Sequence, residues 1–161
     1  MFQNMPRGTT KQETYEILLS HLDEFIVKDE ALITTLSNLS AYLNYHLDDI
    51  NWLGFYLYDG EKLFLGPFQG LPACTIIPIG SGVCGTAAKT KTTQVVEDVH
   101  TFDGHIACDS ASNSEIVIPI LTKGGALKGV LDIDSPTFGR FDQTDRTYLE
   151  QVIDKLVDIA W

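Results

Sequence analysis

Three cysteines are the residues of this sequence best suited to covalent chemistry: Cys74, Cys84 and Cys108. Their spacing contains no C-x-x-C pair, so a structural zinc site would have to recruit His100 or His105 at irregular intervals, which disfavours it. Buried, inert thiols are the broader alternative, because free cysteine is among the most buried residue types. Cys108 lies among polar residues and close to the imidazole of His105. This setting predicts a partly exposed thiol and makes Cys108 the best candidate for a nucleophile.

A glycine-rich stretch at 80–85, GSGVCG, matches the G-x-G-x-x-G pattern of dinucleotide-binding sites. Such a site would need a parallel βαβ unit around it, and the apolar run before the stretch and the helix after it are both too short. The stretch is better interpreted as a tight turn that brings Cys84 close to the N-terminus of a short helix. That position would favour a thiolate.

Three carboxylates are expected to meet on one face of a hairpin. Asp132 and Asp134 are two residues apart on a predicted strand, so they share a face. If a tight turn closes at Gly124-Gly125, residue numbers across the hairpin sum to about 249, which places Glu115 opposite Asp134. No lysine or arginine occupies the cross-strand positions, so the cluster needs a cation, a shared proton or open solvent. A solvated sheet face is the plain alternative and a Mg²⁺ or Ca²⁺ site a weaker one; a substrate ammonium or a carboxyl kept protonated fits best.

Two aromatic side chains, Trp52 and Tyr56, share a face of another predicted strand, and Gly54 leaves room between them. Aromatic residues on a strand usually belong to the core, so the pair alone indicates little. The methyl group of a thioether or a sulfoxide would nevertheless pack well against such rings.

Apolar periodicity and turn residues predict the elements that carry these side chains. Helices are predicted at 11–27, where 10–13 form a capping box, at 30–46, at 83–90 and from about Asp142 onward. Strands are predicted at 51–58, 62–68, 75–79, 94–96, 115–121 and 127–133. The second helix should turn one apolar face inward, with Leu32, Ile33, Leu36, Leu39 and Leu43. Residues 100–113 have no apolar periodicity and are typical of a long functional loop.

The order of these elements favours an α+β fold with an antiparallel sheet over a doubly wound parallel one. At 161 residues the chain is long enough for one buried core, so we expect a single domain, with residues 1–10 as a flexible N-terminus. A formal net charge of −11 disfavours nucleic acid and anionic membranes as partners. Neither an export signal nor a membrane span is encoded, which predicts a cytoplasmic protein without a permanent structural disulfide.

Six segments together resemble one known family, the free methionine-(R)-sulfoxide reductases. They are NWLGFY at 51–56, LGPFQG at 65–70, GVCG at 82–85, GHIACD at 104–109, SEIV at 114–117 and GVLDIDS at 129–135. The resemblance runs from about Thr10 to the C-terminus. It is specific, because generic GAF sensor domains do not combine all three cysteines with this carboxylate cluster. One departure is Asp103, where the family is expected to have proline. That change would affect loop stiffness rather than a chemical group.

The resemblance implies a GAF fold, in which helices flank a six-stranded antiparallel sheet, and a homodimer. It implies that Cys108 is the attacking cysteine and that Cys74 or Cys84 resolves the oxidised product. It also implies no bound cofactor, no metal, and thioredoxin as the external reductant. The substrate contacts would come from two aromatic and three acidic residues, namely Trp52, Tyr56, Glu115, Asp132 and Asp134.

The reaction implied by the resemblance is reduction of free L-methionine-(R)-sulfoxide to L-methionine. Cys108 would attack the sulfoxide sulfur and become a sulfenic acid, a second cysteine would form a disulfide with it, and thioredoxin would reduce that disulfide. The crowded carboxylates would keep a proton available near neutral pH, or one of them would hold the substrate ammonium. His105 and Asp109 either tune Cys108 or only shape its loop.

Two other functions stay open at this point. A non-catalytic GAF module would bind a small molecule such as a cyclic nucleotide and would carry an output domain. A cysteine redox sensor would form a disulfide with peroxide but would not turn over methionine sulfoxide. Because fold alone does not separate these functions, the cysteines together with the carboxylates are the discriminating feature, and they favour the enzyme.

Overall fold

Four helices and six strands form the fold seen in the computed structural model, which describes residues 5–104 and 109–161. In chain order they are α1 (Lys11–Ser20), α2 (Leu32–His46), β1 (Trp52–Tyr58), β2 (Lys62–Gln69), β3 (Ile76–Pro78), α3 (Gly82–Thr90), β4 (Gln94–Val96), β5 (Ser114–Leu121), β6 (Leu127–Ser135) and α4 (Gln143–Ala160). This order confirms the predicted α+β class. None of the helices in the described ranges is long and apolar enough to span a membrane.

The first helix is shorter than the sequence predicted. α1 begins at the predicted capping box, where Thr10 Oγ1 accepts a hydrogen bond from the backbone N–H of Glu13 at 3.1 Å. It ends at Ser20 rather than at residue 27, and a 3-10 turn at Leu22–Glu24 follows. Leu22, Phe25 and Ile26 are still buried, because the turn directs them at the same core as the helix does.

The second helix also differs from its prediction, both in its first residue and in the burial of one side chain. α2 begins at Leu32 rather than at residue 30. Leu36, Leu39 and Leu43 are fully buried as expected, but Ile33 is 61% exposed. The buried face of α2 therefore lies to one side of Ile33, and it also includes Thr35, Ser40, Tyr42 and His46.

The N-terminal residues 5–7 lie against the end of α2. The Tyr45 hydroxyl donates to the backbone oxygen of Met5 at 3.2 Å, and Arg7 pairs with Asp48 at 3.1 Å. Residues 1–4 lie outside the described ranges, so a flexible N-terminus stays a prediction.

The six strands form one antiparallel sheet in the order β3-β2-β1-β6-β5-β4. Both predicted hairpins are present, β1 with β2 and β5 with β6, and the pairing of β1 with β6 joins them. The predicted register across the second hairpin is confirmed, because Glu115 pairs with Asp134 and Val117 with Asp132.

The two faces of the sheet have different coverings. One face packs against α1, α2 and α4 and forms the larger core, to which β1 contributes Leu53 and Phe55. The other face packs against α3 and carries Trp52, Tyr56 and Val117 in a smaller apolar cluster. Side chains alternate along a strand, so this second face also receives the three carboxylates.

The glycine-rich stretch forms the tight turn that the sequence predicted. Gly80 and Gly82 have φ angles of +87° and +61°, which glycine adopts without strain. The backbone N–H of Gly80 donates to the oxygen of Gly85 at 2.8 Å. A Cβ at Gly85 would lie 2.4 Å from the backbone oxygen of Pro78, so glycine is needed for α3 to pack this closely.

A buried carboxylate, Asp145, ties α1 to α4. Its Oδ1 accepts from the Tyr15 hydroxyl at 2.7 Å and from Arg140 Nη1 at 3.1 Å, and its Oδ2 accepts from Lys11 Nζ at 2.6 Å. Burial and then the charge of Asp145 raise the pKa of Tyr15 well above its ordinary value, so that hydroxyl stays a donor. The backbone N–H of Arg140 donates to Ser114 Oγ at 3.3 Å, so the network reaches the first residue of β5.

We expect Asp145→Asn to lower the free energy of unfolding by about 3 kcal/mol, because it removes the shared counter-charge of a largely buried network. Urea denaturation followed by circular dichroism measures the change. Asp158→Asn is the matched control: its carboxylate is exposed and pairs with Lys123 at 2.9 Å, so little or no change is expected. Equal losses in the two variants would contradict a special role for Asp145.

Candidate functional site

A pocket opens between α3 and the sheet, and it encloses about 540 Å³ including its mouth. The residues that line it come from both hairpins, α3 and the loops beside them: Trp52, Tyr56, Pro72, Ala73, Ile77, Ser81, Gly82, Val83, Cys84, Asp109, Ser112, Glu115, Asp132 and Asp134. Among the described residues, the fold therefore brings together all the predicted substrate contacts and Cys84.

The three carboxylates converge because of the strand register. Glu115 and Asp134 are direct cross-strand partners, and Asp132 lies two residues along β6 on the same face. Glu115 and Asp132 are each 6% exposed, and Asp134 is half-buried. One carboxyl oxygen from each of Glu115 and Asp132 lies within 4.8 Å of the other and of Cys84 Sγ. The alternative of a solvated sheet face is therefore wrong.

Burial is the main reason why the cluster retains protons. It raises the pKa of Glu115 well above its ordinary value, and the charges of Asp132 and Asp134 raise it further. Burial raises the pKa of Asp132 to about 6, against hydrogen bonds from Cys84 and Glu115 that lower it. The pKa of Asp134 is also raised, by burial and by the charge of Asp132. Asp132 is thus the first member to ionise, and Glu115 holds a proton that it donates to Asp132.

One oxygen of Asp132 is available to a ligand. Within residues 5–104 and 109–161, Asp132 Oδ1 is buried and has no hydrogen-bond partner. An unsatisfied buried acceptor costs about 1–3 kcal/mol, so a donor that reached it from the pocket would recover that cost. An ammonium group would supply both the hydrogen bond and a positive charge.

Cys84 is a buried neutral thiol, so the thiolate predicted from its place at a helix N-terminus is wrong. It lies in the first turn of α3 and is 4% exposed. Burial raises the pKa of this thiol well above its ordinary value, and the charges of Asp132 and Glu115 raise it further. The helix terminus does favour an anion, but burial beside two carboxyl groups outweighs it.

The same three side chains, Cys84, Glu115 and Asp132, have the spacing of a metal site in the described part of the chain. Metal binding would require a thiolate and two carboxylates, whereas the raised pKa values of Cys84 and Glu115 favour their protonated forms. His100 lies elsewhere, with its Nε2 3.0 Å from Asn113 Oδ1. That the protein needs no metal stays a prediction.

Of the other two cysteines, only Cys74 lies within the described residues. Cys74 lies between β2 and β3, next to the pocket residue Ala73, and it is disulfide-bonded, whereas Cys84 is a free thiol. Cys108 and His105 lie outside the described residues, so their predicted roles stay predictions.

The aromatic wall of the pocket is built on β1 and β2. The ring of Trp52 stacks on Tyr56 with centroids 5.9 Å apart and on Phe68 at 5.4 Å. Gly54, between the two β1 aromatics, pairs with Asp132. A Cβ at Gly54 would lie 2.6 Å from the Trp52 ring and 2.4 Å from Phe68 Cβ, so glycine leaves the space that the indole occupies.

Two polar residues of the site, Asn51 and Ser112, were not found by sequence reasoning. Asn51 Nδ2 donates to Asp109 Oδ2 at 2.9 Å and to Ser112 Oγ at 3.1 Å, and Ser112 in turn hydrogen-bonds Asp134. Asp109 Oδ1 also accepts from the backbone N–H of Ala111 at 2.8 Å, so in this structure Asp109 shapes its loop. The only signal in the sequence was that both residues flank strands in polar segments.

An antiparallel sheet of six strands with a ligand pocket under a short helix is the arrangement of a GAF domain, and the GAF domain family matches residues 29–158. The free methionine-R-sulfoxide reductase of Escherichia coli K12 is 51% identical over 146 residues, which cover 91% of this chain and 88% of that protein. The chain therefore belongs to the GAF domain family and, within it, to the family of the free methionine-R-sulfoxide reductases.

Solved structures agree with this assignment. A free methionine-R-sulfoxide reductase from Neisseria meningitidis, in complex with its substrate, superposes with a TM-score of 0.90 at 38% identity and covers 98% of this chain and 95% of that one. A protein from Burkholderia vietnamiensis described as a putative GAF sensor superposes with a TM-score of 0.91 at 49% identity, covering 95% and 97%.

We expect the melting temperature to fall as the pH rises from about 5 to about 8. Burial raises the folded-state pKa of Asp132 to about 6 and the pKa values of Glu115 and Asp134 well above their ordinary range. The contribution of the three groups to stability is therefore full below the unfolded-state values near 4 and is lost as the pH rises through the folded-state values. Differential scanning calorimetry measures this dependence. Glu115→Gln should flatten it, and the exposed control Glu61→Gln should not. A dependence that is equally steep in Glu115→Gln would refute the shared proton.

Proposed function

We propose that this chain reduces free L-methionine-(R)-sulfoxide to L-methionine. The observation that carries the proposal is the buried pair of carboxyl groups, in which Glu115 retains a proton beside the more acidic Asp132. A sulfoxide oxygen leaves readily only when it is protonated, and a free amino acid brings an ammonium group that needs a negative partner. Glu115 can supply the proton and Asp132 the negative charge. Membership of the free methionine-R-sulfoxide reductase family supports these roles.

Substrate binding divides between an apolar and a polar wall. The methyl group packs against the rings of Trp52 and Tyr56, which are buried on the same strand face. The ammonium group binds Asp132, whose Oδ1 lacks a partner in the described residues, with Asp134 beside it. A pocket that must receive the free α-amino and carboxyl groups excludes methionine sulfoxide within a polypeptide.

The reduction step begins with attack of the Cys108 thiolate on the sulfoxide sulfur. A bond forms between the Cys108 sulfur and the substrate sulfur, and Glu115 donates its proton to the sulfoxide oxygen. The resulting hydroxyl group then moves to the cysteine sulfur: the S–O bond of the substrate and the new S–S bond break, an S–O bond to Cys108 forms, and methionine leaves. The oxygen ends on Cys108 as a sulfenic acid, so the substrate sulfur gains two electrons and the cysteine sulfur loses two.

Recycling requires a second cysteine, which condenses with the sulfenic acid to form a disulfide and water. The sequence allowed either Cys84 or Cys74 for this role. Cys74 is the better candidate, because it is disulfide-bonded in the structure while Cys84 is a buried neutral thiol. Thioredoxin then reduces the disulfide, so the proposed cycle uses no bound cofactor and suits a reducing compartment such as the cytoplasm. We also propose that the protein works as a homodimer.

A coupled assay tests the proposal. NADPH consumption is followed with thioredoxin and thioredoxin reductase, using the free (R) sulfoxide, the free (S) sulfoxide and an N-blocked (R) sulfoxide. We expect consumption with the free (R) epimer alone and none with Cys108→Ser. Absence of turnover even with dithiothreitol would refute the enzyme, and disulfide formation with peroxide in that case would favour a redox sensor. Light scattering after gel filtration tests the homodimer.

Two substitutions separate the roles of the carboxyl groups. Glu115→Gln keeps a hydrogen-bond donor but removes the transferable proton, so we expect kcat to fall by about 100-fold with little change in KM. Asp132→Asn removes the partner of the ammonium group, so we expect KM to rise by roughly 10- to 100-fold. Steady-state kinetics measure both effects, and Glu61→Gln again serves as the surface control. A wild-type kcat in Glu115→Gln would rule out Glu115 as the proton donor.

A further inference from the structure

The two aromatic residues of the pocket wall also have polar atoms, and both of these atoms bind one loop. Trp52 Nε1 donates to the backbone oxygen of Leu71 at 3.0 Å. The Tyr56 hydroxyl donates to the backbone oxygen of Cys74 at 3.0 Å. The rings thus face the pocket while the N–H and O–H groups fix residues 71–74, the segment that carries a redox cysteine.

The bond from Tyr56 persists across the working pH range. Burial raises the pKa of the Tyr56 hydroxyl far above its ordinary value, and the charges of Asp132 and Cys84 raise it further, so the hydroxyl stays protonated. Tyr56 is 1% exposed and Trp52 3% exposed, so both side chains are buried. The loop itself has no helical or strand structure at residues 71–74, and Leu71 is 63% exposed. Its position therefore depends on such contacts with the sheet.

We propose that Tyr56, assisted by Trp52, is a positioning residue for the resolving cysteine Cys74. This inference rests on the proposed function and assigns the two aromatics a role in the second half of the reaction. The step they serve is the attack of the Cys74 thiol on the sulfenic acid of Cys108. A sulfur–sulfur bond forms, the S–O bond breaks, and the oxygen leaves as water.

This step is sensitive to position. A disulfide forms only when the two Cα atoms and both Cβ directions meet narrow limits. Misplacement of a reacting group by about 1 Å can reduce a rate by about 100-fold. The hydrogen bond from Tyr56 to the backbone oxygen of Cys74 restrains the backbone of that residue. The Cα of this backbone carries the side chain that must react.

The test compares two tyrosine substitutions on the same strand. Tyr56→Phe keeps the ring at the pocket and removes only the bond to Cys74. Tyr58→Phe removes an equivalent bond, because the Tyr58 hydroxyl donates to the backbone oxygen of Gly60 at 2.7 Å and lies outside the pocket. Reduced protein is mixed with free methionine-(R)-sulfoxide without a reductant. Methionine release, dimedone-trapped sulfenic acid and disulfide are then followed by mass spectrometry.

We expect wild type and Tyr58→Phe to release one methionine per chain and to form the disulfide without detectable sulfenic acid. In Tyr56→Phe, whatever the rate of methionine release, sulfenic acid should accumulate, because the disulfide should form about 10- to 100-fold more slowly than in the wild type. Trp52→Phe, which removes the bond to Leu71, should show a smaller delay of the same kind. Cys74→Ser sets the upper limit of sulfenic acid accumulation.

The outcomes distinguish this inference from the proposed function. Absence of methionine release from the wild type would overturn the function itself. Methionine release with wild-type disulfide formation in Tyr56→Phe would overturn only the positioning role. A disulfide that forms normally in Cys74→Ser would also overturn it, because Cys84 would then be the resolving cysteine. A changed rate of methionine release in Tyr56→Phe without any delay in disulfide formation would limit Tyr56 to the substrate wall.

Discussion

The burial of three carboxyl groups on one face of an antiparallel sheet is the constraint on which this site depends. Sheet register places Glu115 beside Asp134 and sets Asp132 two residues away, and α3 covers them. Water hardly reaches Glu115 and Asp132, so the group retains protons instead of becoming fully ionised. The neighbouring thiol of Cys84 is held neutral for the same reason. A fold that buries these groups thereby keeps a proton on the cluster near neutral pH.

Much of this arrangement follows from local patterns in the sequence. The glycine pair at 124–125 fixes a hairpin register, and the alternation of side chains then assigns each carboxyl to a face. The same alternation places Trp52 and Tyr56 on that face once β1 pairs with β6. The glycines between 80 and 85 indicate a tight turn rather than a nucleotide site, because no parallel unit surrounds them. Turn residues and side-chain alternation depend on neighbours in the sequence, so these features could be predicted without knowledge of the tertiary contacts.

The remaining features arise from tertiary contacts that no local pattern encodes. The early end of α1 and the exposure of Ile33 depend on how the helices meet the sheet. The neutral state of Cys84 depends on which residues of other strands lie beside it, and these outweigh the local helix terminus. Asn51 and Ser112 meet across 61 positions of sequence, so neither identifies the other in advance. The side chains of Trp52 and Tyr56 were predictable as a wall, but their bonds to residues 71–74 were not.

The carboxyl cluster is balanced by protons and not by basic side chains. In the described strands its cross-strand neighbours are Trp52, Gly54, Val96 and Val117, none of which carries a charge. Dissolved ions screen charges that solvent separates, over about 8–10 Å at moderate ionic strength, and they act weakly on buried groups. Salt will therefore act mainly on the surface, where most of the net charge of −11 resides. The charge of the buried carboxyl groups is therefore set by the protein around them and changes little with the ionic strength of the surrounding medium.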